Sequence, residues 1–291
     1  MKRFDWPEMM EYWRTHSRIW GKIDYSLDPS GLGNVCHAGA PLWLNQYYAH
    51  FQKMVYKKLL ALLPALTSGA RALDVGCGAA RWCEFLSSQE YKTVGIDLQP
   101  DLIRANKSIY PNIDFYCASI QEFDSEVLFD LVSCVTVIQH IPFKEQYIAV
   151  RKIRELLKEN GHAIVLENVH DQAPHVFSHT IEEWQKMFES SGFRCKKIWR
   201  YDYSPFLRVY SLLKNTIRKI LLKHMEATNS FTFLNQRNQL GRPDEIRKLL
   251  YILNISLLRM ALQVDKGIEP ICVHNNFRMP TVHCGFLFQA R

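Results

Sequence analysis

The chain lacks the features that mark disulfide-rich, membrane-spanning and secreted proteins. Its eight cysteines are scattered over 291 residues without a C-x-x-C pair, which indicates buried free thiols in a reducing compartment. No charge-free apolar run approaches the roughly 18 residues of a membrane span. The first residues also lack the apolar core of a signal peptide. We therefore expect a cytoplasmic protein.

Metal and dinucleotide sites lack support as well. Two cysteines and two histidines lie near the C-terminus, at Cys272, His274, His283 and Cys284. Their spacing matches no zinc finger, and neighbouring residues on a strand point to opposite faces, so we expect no metal site. The dinucleotide fingerprint G-x-G-x-x-G needs a third glycine, and Arg81 stands in its place.

What the chain does have is a strand, a tight turn and a helix start between Arg71 and Trp82. A short apolar run ends at Val75, and Gly76 and Gly78 follow, where the backbone can take positive φ and admit a ligand closely. Asp97 closes the next apolar run, and a carboxylate at that position suits a ribose diol. The pattern predicts a cofactor site.

This Asp-x-Gly-x-Gly pattern resembles the first motif of the class I S-adenosylmethionine-dependent methyltransferases. The resemblance runs from about Leu59 to Arg200 and returns near the C-terminus. It implies that S-adenosylmethionine binds along the ends of the strands. Two positions depart from the family pattern, since the usual third glycine is Ala80 and the usual adenine-binding Asp is Ser119. The cofactor-binding residues that the resemblance implies are Asp74, Gly76, Cys77, Gly78, Asp97, Leu98, Ser119, Ile120 and Val135.

The order of apolar runs and helical patterns predicts an α/β fold. We expect a doubly wound, mostly parallel seven-stranded sheet, and by resemblance its last strand is antiparallel. Strands are predicted near residues 72, 93, 113, 130 and 162, then at 193–199 and 282–288. The predicted domains are an N-terminal helical cap (1–64), a methyltransferase core (65–200 and 281–291) and a helical lid insertion (201–280).

Proline, glycine and capping residues predict where several helices begin and end. Pro100 stands where a helix begins, and residues 180–183 read as a capping box before a helix that stops at Gly192. The helix that starts near Phe143 is expected to end at Asn160 and Gly161. A later helix is expected to run from Pro243 to Val264 and end by Gly267.

The N-terminal region is dense in aromatic residues. A predicted helix from Leu42 to about Leu63 carries several of them, and they either pack the helix onto the sheet or form an apolar wall over a substrate. In the resembling family, N-terminal helices often close over the cofactor. The substrate-binding candidates, including one from the loop after the fourth strand, are His37, Trp43, Tyr47, Tyr48 and Gln139.

Positive charge is concentrated in one segment. Residues 194–223 contain nine Lys or Arg and one acid, against a net charge of +7 for the whole chain. A predicted helix from Pro205 to His224 carries apolar residues on one face and basic residues around the other. That basic face is either simply solvated, or it contacts an anionic membrane or a phosphorylated substrate. No nucleic-acid-binding module is recognisable, so we do not expect a nucleic-acid partner.

The chemistry follows from the cofactor that the resemblance implies. Methyl transfer needs the acceptor held in register with the methyl group, and a hydroxyl acceptor also needs a base. His140 follows the fourth strand, at the edge where open α/β sheets bind ligands, and Glu167 ends the fifth strand. The sequence predicts O-methylation of a small-molecule or lipid-linked acceptor with His140 as base and Glu167 as a second candidate. Methylation of RNA or protein, and N-methylation by proximity, remain open alternatives.

Overall fold

The computed structural model describes the backbone of residues 3–19, 42–170, 172–173, 175–206, 209, 212 and 243–291. The chain divides into two compact units, Met1–Asp202 with Asn276–Arg291 and Tyr203–Asn275. The second unit falls inside the predicted insertion of residues 201–280. The first unit includes the residues of the predicted cap, so a separate cap stays a prediction.

The described strands lie almost entirely in the first unit's central sheet. They are β1 (Arg71–Val75), β2 (Lys92–Asp97), β3 (Asp114–Cys117), β4 (Phe129–Val135), β5 (Leu157–Asn168), β6 (Gln172–Ala173), β7 (Val176–Phe177), β8 (Phe193–Tyr201) and β9 (His283–Ala290). The described helices are α1 (Trp6–Ile19), α2 (Leu42–Leu60), α3 (Arg81–Ser87), α4 (Pro100–Ile109), α5 (Phe143–Leu156), α6 (Ile181–Ser190) and α7 (Pro243–Asn275).

Seven strands form one sheet in the order β3-β2-β1-β4-β5-β9-β8, and β6 pairs with β7 in a separate hairpin. The pairs from β3 to β5 are parallel, whereas β9 is antiparallel to both β5 and β8. The predicted fold, a mostly parallel seven-stranded sheet with an antiparallel last strand, is confirmed. Because β1, β2, β4 and β5 are parallel, their carboxyl ends share one edge, and the candidate site lies there.

Two helix starts behave as the sequence predicts. Helix α4 begins at Pro100, whose fixed φ suits a first turn. Helix α6 begins with the predicted capping box, in which the Thr180 side chain accepts the Glu183 N–H and the Glu183 carboxylate accepts the Thr180 N–H. Pro100 removes an N–H that would lack a helical partner, and the capping box satisfies two such N–H groups. Both effects are local, which is why the sequence alone identifies these helix starts.

Two predicted helix ends are wrong. Helix α5 ends at Leu156, not at Asn160, because Leu157 already pairs with Phe129 in the sheet. Asn160, with φ of 61°, lies in the bulge between that pair and the next one in register. Helix α7 runs through Gly267 and Pro270 to Asn275, whereas the sequence predicted an end by Gly267.

The α7 extension follows from burial. A helical glycine costs about 1 kcal/mol and an interior proline about 3 kcal/mol. Beyond Pro270, Cys272 and Val273 are buried, and Glu269 just before it is buried as an acceptor for the Tyr203 and Ser204 N–H groups. These contacts join residues far apart in the sequence, so the local glycine and proline pattern did not predict the longer helix.

Helix α2 packs closely on the sheet. A side chain on Gly285 of β9 would lie 2.7 Å from Val55 and 3.0 Å from Leu59, so only glycine admits the helix at this distance. Phe51, Val55, Tyr56 and Leu59 are buried along this face. Helix α2 is therefore part of the core of the first unit.

Most of the predicted cationic helix lies outside the described residues. Of residues 205–224 the structure describes only 205, 206, 209 and 212, so neither its amphipathic face nor contact with a membrane is tested. Among the helices that are described, none combines the length and the apolar character needed to cross a bilayer.

Candidate active site

The turn after β1 is tight, and at Gly76 it has no room for a side chain. Gly76 and Gly78 have φ of 67° and 51°, in the left-handed region that glycine tolerates. A Cβ on Gly76 would lie 2.3 Å from Cγ2 of Val137, which follows β4. The Cys77 N–H donates to the Ile96 carbonyl at 2.9 Å, which ties the turn to β2.

Asp97 and Asn106 hold Gly78 from two sides. The Asp97 carboxylate accepts the Gly78 N–H through Oδ2 and the Gln99 N–H through Oδ1, both at 2.9 Å. The buried Asn106 amide of α4 donates to the Gly78 carbonyl at 2.7 Å. Each Asp97 oxygen keeps a second lone pair, so the carboxylate can also accept a diol. Burial raises the Asp97 pKa, while the Gln99 and Gly78 N–H groups oppose that rise.

Asp74 is the second carboxylate of this turn. It is buried and stands in register with Ser133 of β4, and the Cys83 thiol lies 3.5 Å from its Oδ2. Burial raises the Asp74 pKa to about 7, while Ser133, Cys83 and the positive charge of Arg81 oppose that rise. The groups around Asp74 only partly offset the cost of burying its negative charge, so a cationic partner would stabilise the ionised carboxylate.

Arg81 and Gln52 also belong to this site, although the sequence did not single them out as binding residues. The Arg81 Nη2 donates to Gln52 Oε1 at 2.6 Å, and the guanidinium lies 4.7 Å from the centre of the Trp82 ring. Gln52 comes from α2, about thirty positions away along the chain. A contact of that separation leaves no local signal, and only the charge of Arg81 in the motif hinted at it.

The other predicted cofactor-binding residues, of which Ser119 and Ile120 were expected to contact the adenine, lie at the carboxyl ends of β2, β3 and β4. The Ser119 hydroxyl donates to Glu122 at 2.8 Å and accepts the Glu122 N–H at 3.2 Å, which closes a turn. Ile120 and Val135 are buried, and the Leu98 carbonyl lies 3.7 Å from the Cys117 thiol. The geometry puts these residues near the same edge as Asp97, and their contact with the cofactor stays a prediction.

The segment after β4 is strained and held by Glu167. Thr136 has φ of 57°, an uncommon value for a β-branched residue, and strain of this kind clusters at functional sites. The buried Glu167 carboxylate accepts the N–H groups of Val137, Ile138 and Gln139 at 3.2, 2.9 and 3.2 Å. Burial raises its pKa to about 8 although these three donors oppose the rise. The hydrogen bonds make Glu167 a positioning group for this segment, and its catalytic role stays a prediction.

The hydrogen bonds of His140 fix its tautomer. Gln139 Oε1 accepts the Asn168 N–H at 2.7 Å, so the other end of that amide is the donor to His140 Nε2, at 3.2 Å. The His140 Nδ1 lies 2.7 Å from the His175 carbonyl, to which only an N–H can donate. His140 is therefore a neutral imidazole with its proton on Nδ1 and a lone pair on Nε2. Both ends of the Gln139 amide are hydrogen-bonded within the protein, and the predicted contact of Gln139 with a substrate stays a prediction.

Helix α1 supplies aromatic residues to this histidine. The Trp13 ring centre lies 4.7 Å from that of His140, and the His175 ring stacks on His140 at 5.7 Å. Tyr12 stacks on His175 at 5.6 Å. Helix α1 lies within the predicted N-terminal helical cap (1–64), but its sequence periodicity does not indicate that it packs on His140.

The aromatic residues predicted to line the substrate on α2 have mixed outcomes. His37 lies outside the described residues, and only the backbone of Trp43 is described. Tyr47 is buried edge-on against Tyr48 and Phe51, with ring centres 5.4 and 5.0 Å apart. This geometry accounts for Tyr47 by packing, and a substrate role stays a prediction. In the part of the chain whose side chains are described, no three His, Cys, Asp or Glu residues group as metal ligands do.

Comparison with known proteins agrees with this geometry. Residues 72–161 match the family model of a methyltransferase domain. Over 103 residues, 34% of this chain and 40% of the relative, the chain is 34% identical to a ubiquinone biosynthesis O-methyltransferase of Rhodopseudomonas palustris. Over 142 residues it is 32% identical to the enzyme of the same name from Bradyrhizobium diazoefficiens, covering 47% and 54% of the two chains. The matches thus span about half the length of these relatives.

One solved structure shares the fold over its length. The [4+2]-cyclase SpnF aligns with a TM-score of 0.54 at 13% identity, covering all of this chain and 97% of that one. Identity this low speaks for the fold and not for the reaction. Together with the matched domain, it confirms the class I methyltransferase resemblance that the glycine turn predicted.

Proposed function

Because residues 72–161 are a methyltransferase domain within a class I sheet, we propose that the chain methylates a hydroxyl group of a small-molecule or lipid-linked acceptor. S-adenosylmethionine is the cofactor, and it supplies an electrophilic methyl group for in-line displacement. The observation that carries the proposal is the joint position of the Gly76–Gly78 turn, Asp97 and His140 at the carboxyl edge of one sheet.

The protein's own groups divide the work of binding. The turn lets the cofactor approach the backbone at Gly76 and Gly78, and Asp97 offers two oxygens to the ribose diol. Asp74 offers a buried carboxylate beside the same turn. In this proposal these residues fix the methyl group, so the rate depends on holding an acceptor in line with it.

His140 serves as base for the acceptor. Its Nε2 lone pair accepts the hydroxyl proton when the acceptor displaces the Gln139 amide from it, and the imidazolium then keeps its Nδ1–H on the His175 carbonyl. Trp13 and His175 cover the ring and limit water at this point. The names of the relatives, which are O-methyltransferases, support an oxygen acceptor.

The acceptor is identified by mass spectrometry as the compound whose mass increases by one methyl group. The purified chain is incubated with S-adenosylmethionine and, in separate reactions, with a metabolite extract, a lipid extract, RNA and protein. We expect one small or lipid-linked compound to gain one methyl mass. Methyl gain in RNA or protein alone would favour the macromolecular alternative, and methyl gain on an amine would replace oxygen by nitrogen. Because a cyclase shares this fold, loss of an unmethylated substrate without methyl gain would reject the proposal.

Replacing Asp97 with alanine is expected to weaken S-adenosylhomocysteine binding by about 1.5–3 kcal/mol, which is about 10- to 100-fold in Kd. The ribose diol loses its charged acceptor, and the Gly78 N–H loses its partner. Calorimetry measures the effect. Asp101→Ala is the matched control, because this carboxylate is a surface partner of Arg104 and should change binding little. Unchanged affinity in Asp97→Ala would remove the ribose assignment.

The affinity for S-adenosylhomocysteine is expected to rise with pH below about 7. Unliganded Asp74, with a pKa raised to about 7, is mostly protonated at pH 6. The cationic amino group of S-adenosylhomocysteine binds only the ionised form of this carboxylate. Binding at low pH must therefore release a proton, so Kd should improve by up to about tenfold per pH unit until Asp74 is ionised. Titrations from pH 5.5 to 8 test this. Asp74→Asn should give a much flatter profile, and an unaltered slope in that variant would assign the effect to another group.

A further inference from the structure

Helix α7 of the second unit carries two apolar faces. The buried apolar side chains of its second half are Ala261, Leu262, Cys272 and Val273. The exposed large apolar side chains of the same stretch are Leu257 (51%), Met260 (61%), Val264 (38%) and Ile271 (58%). With 3.6 residues per turn, the two sets occupy different sides of the helix. The exposed set is therefore not the face by which α7 packs within its own unit.

The exposed residues follow a heptad spacing. They recur at intervals of three, four and seven residues, so they form a stripe about 60° wide along α7. A narrow stripe of this kind is typical of the seam between two paired helices, whereas a helix packed on a broad apolar surface has a stripe of about 100° or more. In the sequence, Leu250 and Leu253 extend the same spacing toward the start of the helix. The pattern indicates that a second helix packs along this stripe.

Gly267 belongs to the same stripe, and the described contacts do not explain it. It continues the spacing between Val264 and Ile271, inside a helix, where glycine costs about 1 kcal/mol relative to alanine. A Cβ on Gly267 would meet no described atom within 4 Å. No contact in the described chain therefore requires glycine here. A missing side chain at a seam position leaves a hollow that a large side chain of a partner can fill.

The charges beside the stripe suit a second copy of the same chain. Each copy has a net charge of +7, so two copies repel unless their cations point away from the contact. The exposed Arg259 and Lys266 lie about 100° or more around the helix from the stripe. The residues directly beside it include Ser256, Ala261 and Gln263, which are uncharged. An anionic membrane would instead favour cations at these positions.

We propose that two copies of this chain associate through an antiparallel pair of α7 helices. In the register that fills the hollow, Leu257 lies opposite Gly267 of the second copy, and Met260 lies opposite its Val264. The same register sets Ile271 opposite Leu253. The pair is isologous, so each contact occurs twice about one two-fold axis. A parallel pair would align the two Gly267 residues and leave the hollow empty.

Sedimentation equilibrium of the full chain tests the association, which does not depend on the methyl-transfer reaction. We expect a monomer–dimer equilibrium with a Kd in the micromolar range, since one helix pair is a small interface. Met260→Glu should weaken it about 100-fold or more, because each dimer would bury two unpaired carboxylates. Val264→Lys should act alike. Lys266→Glu, at an exposed position away from the stripe, is the matched control and should keep Kd within about threefold of wild type.

Mixing the two stripe variants tests the register. Met260→Glu and Val264→Lys should each be monomeric alone but form a 1:1 heterodimer together. The antiparallel register sets the introduced carboxylate of one copy opposite the introduced ammonium group of the other. A parallel pair would not bring these two charges together in one layer.

Gly267→Leu separates loss of the contact from damage to the fold. Leucine is the better helix former and has free space around it in one chain, so the urea midpoint of the monomer should stay or rise. The dimer should weaken about tenfold or more, because the hollow opposite Leu257 is then filled. Opposite signs in these two measurements are the expected signature of a partner contact at Gly267.

Three results would overturn the proposal. A wild type that stays monomeric at about 100 μM, a hundredfold above a micromolar Kd, would rule the dimer out, whether the stripe then binds lipid vesicles or is covered by its own chain. A dimer that Met260→Glu leaves intact would assign the contact to another surface. If both stripe variants are folded monomers by circular dichroism but their mixture forms no heterodimer, the antiparallel register is wrong.

Discussion

A His140→Ala variant is expected to turn over about 10² to 10⁴ times more slowly than wild type on a hydroxyl acceptor, the range for loss of a positioned base. The physical reason is the tautomer. The Gln139 amide and the His175 carbonyl leave the ring neutral, with its lone pair on Nε2, so the base needs no reorganisation before it takes a proton. Affinity for S-adenosylhomocysteine should stay within about threefold of wild type, since the cofactor contacts proposed above do not include this ring.

The matched control for His140 is its stacked neighbour. His175 contributes its backbone carbonyl to the contact, and His175→Ala keeps that carbonyl while it removes an imidazole 5.7 Å away. We expect this variant to lose less than about tenfold in turnover. Equal losses in the two variants would mean that the aromatic stack, and not a base, sets the rate. Normal turnover of His140→Ala would leave positioning of the acceptor alone to explain the reaction.

The parts of the site that could be predicted are those whose signal is local. The glycine turn, Asp97 and the strand ends depend on backbone conformation and on the order of apolar runs. Residues close together in the sequence determine both of these properties. His140 was found because a residue directly after a buried strand must lie at the carboxyl edge. The same rule identified Glu167.

The roles that the sequence missed depend on contacts between distant segments. No residue near Arg81 in the sequence indicates that Gln52 accepts a hydrogen bond from it. Likewise, no pattern in α1 indicates that Trp13 packs over His140. Glu167 illustrates the limit most clearly, because its position was predicted but its partners were not. A carboxylate at a strand end suggests chemistry, whereas here three N–H groups of the segment after β4 converge on it.

Replacing Glu167 with alanine is expected to lower the free energy of unfolding by about 3–5 kcal/mol, because up to three buried N–H groups lose their acceptor at about 1–3 kcal/mol each and the segment relaxes only partly. The loss should appear as a lower midpoint in urea with the slope m little changed. Activity should fall with it, since the same N–H groups place the 3₁₀ turn Ile138–His140.

A second variant and the pH dependence complete this test. Glu167→Gln keeps one oxygen acceptor and the volume, so it should lose less stability than Glu167→Ala.

The effect of Glu167→Gln on the pH dependence of stability follows from the linkage between protonation and folding. The pKa of Glu167 rises from 4.5 to about 8 on folding, so between these values the folded state holds a proton that the unfolded state has released. That contribution is fully present below about pH 4.5 and is lost as the pH rises through 8, so wild-type stability should fall over this window. Asp74 adds a slope of the same sign up to about pH 7, and it should persist in Glu167→Gln while the part between pH 7 and 8 disappears. A wild-type stability that instead rises from pH 5 to 8 would show that the three N–H donors outweigh burial and keep Glu167 ionised throughout.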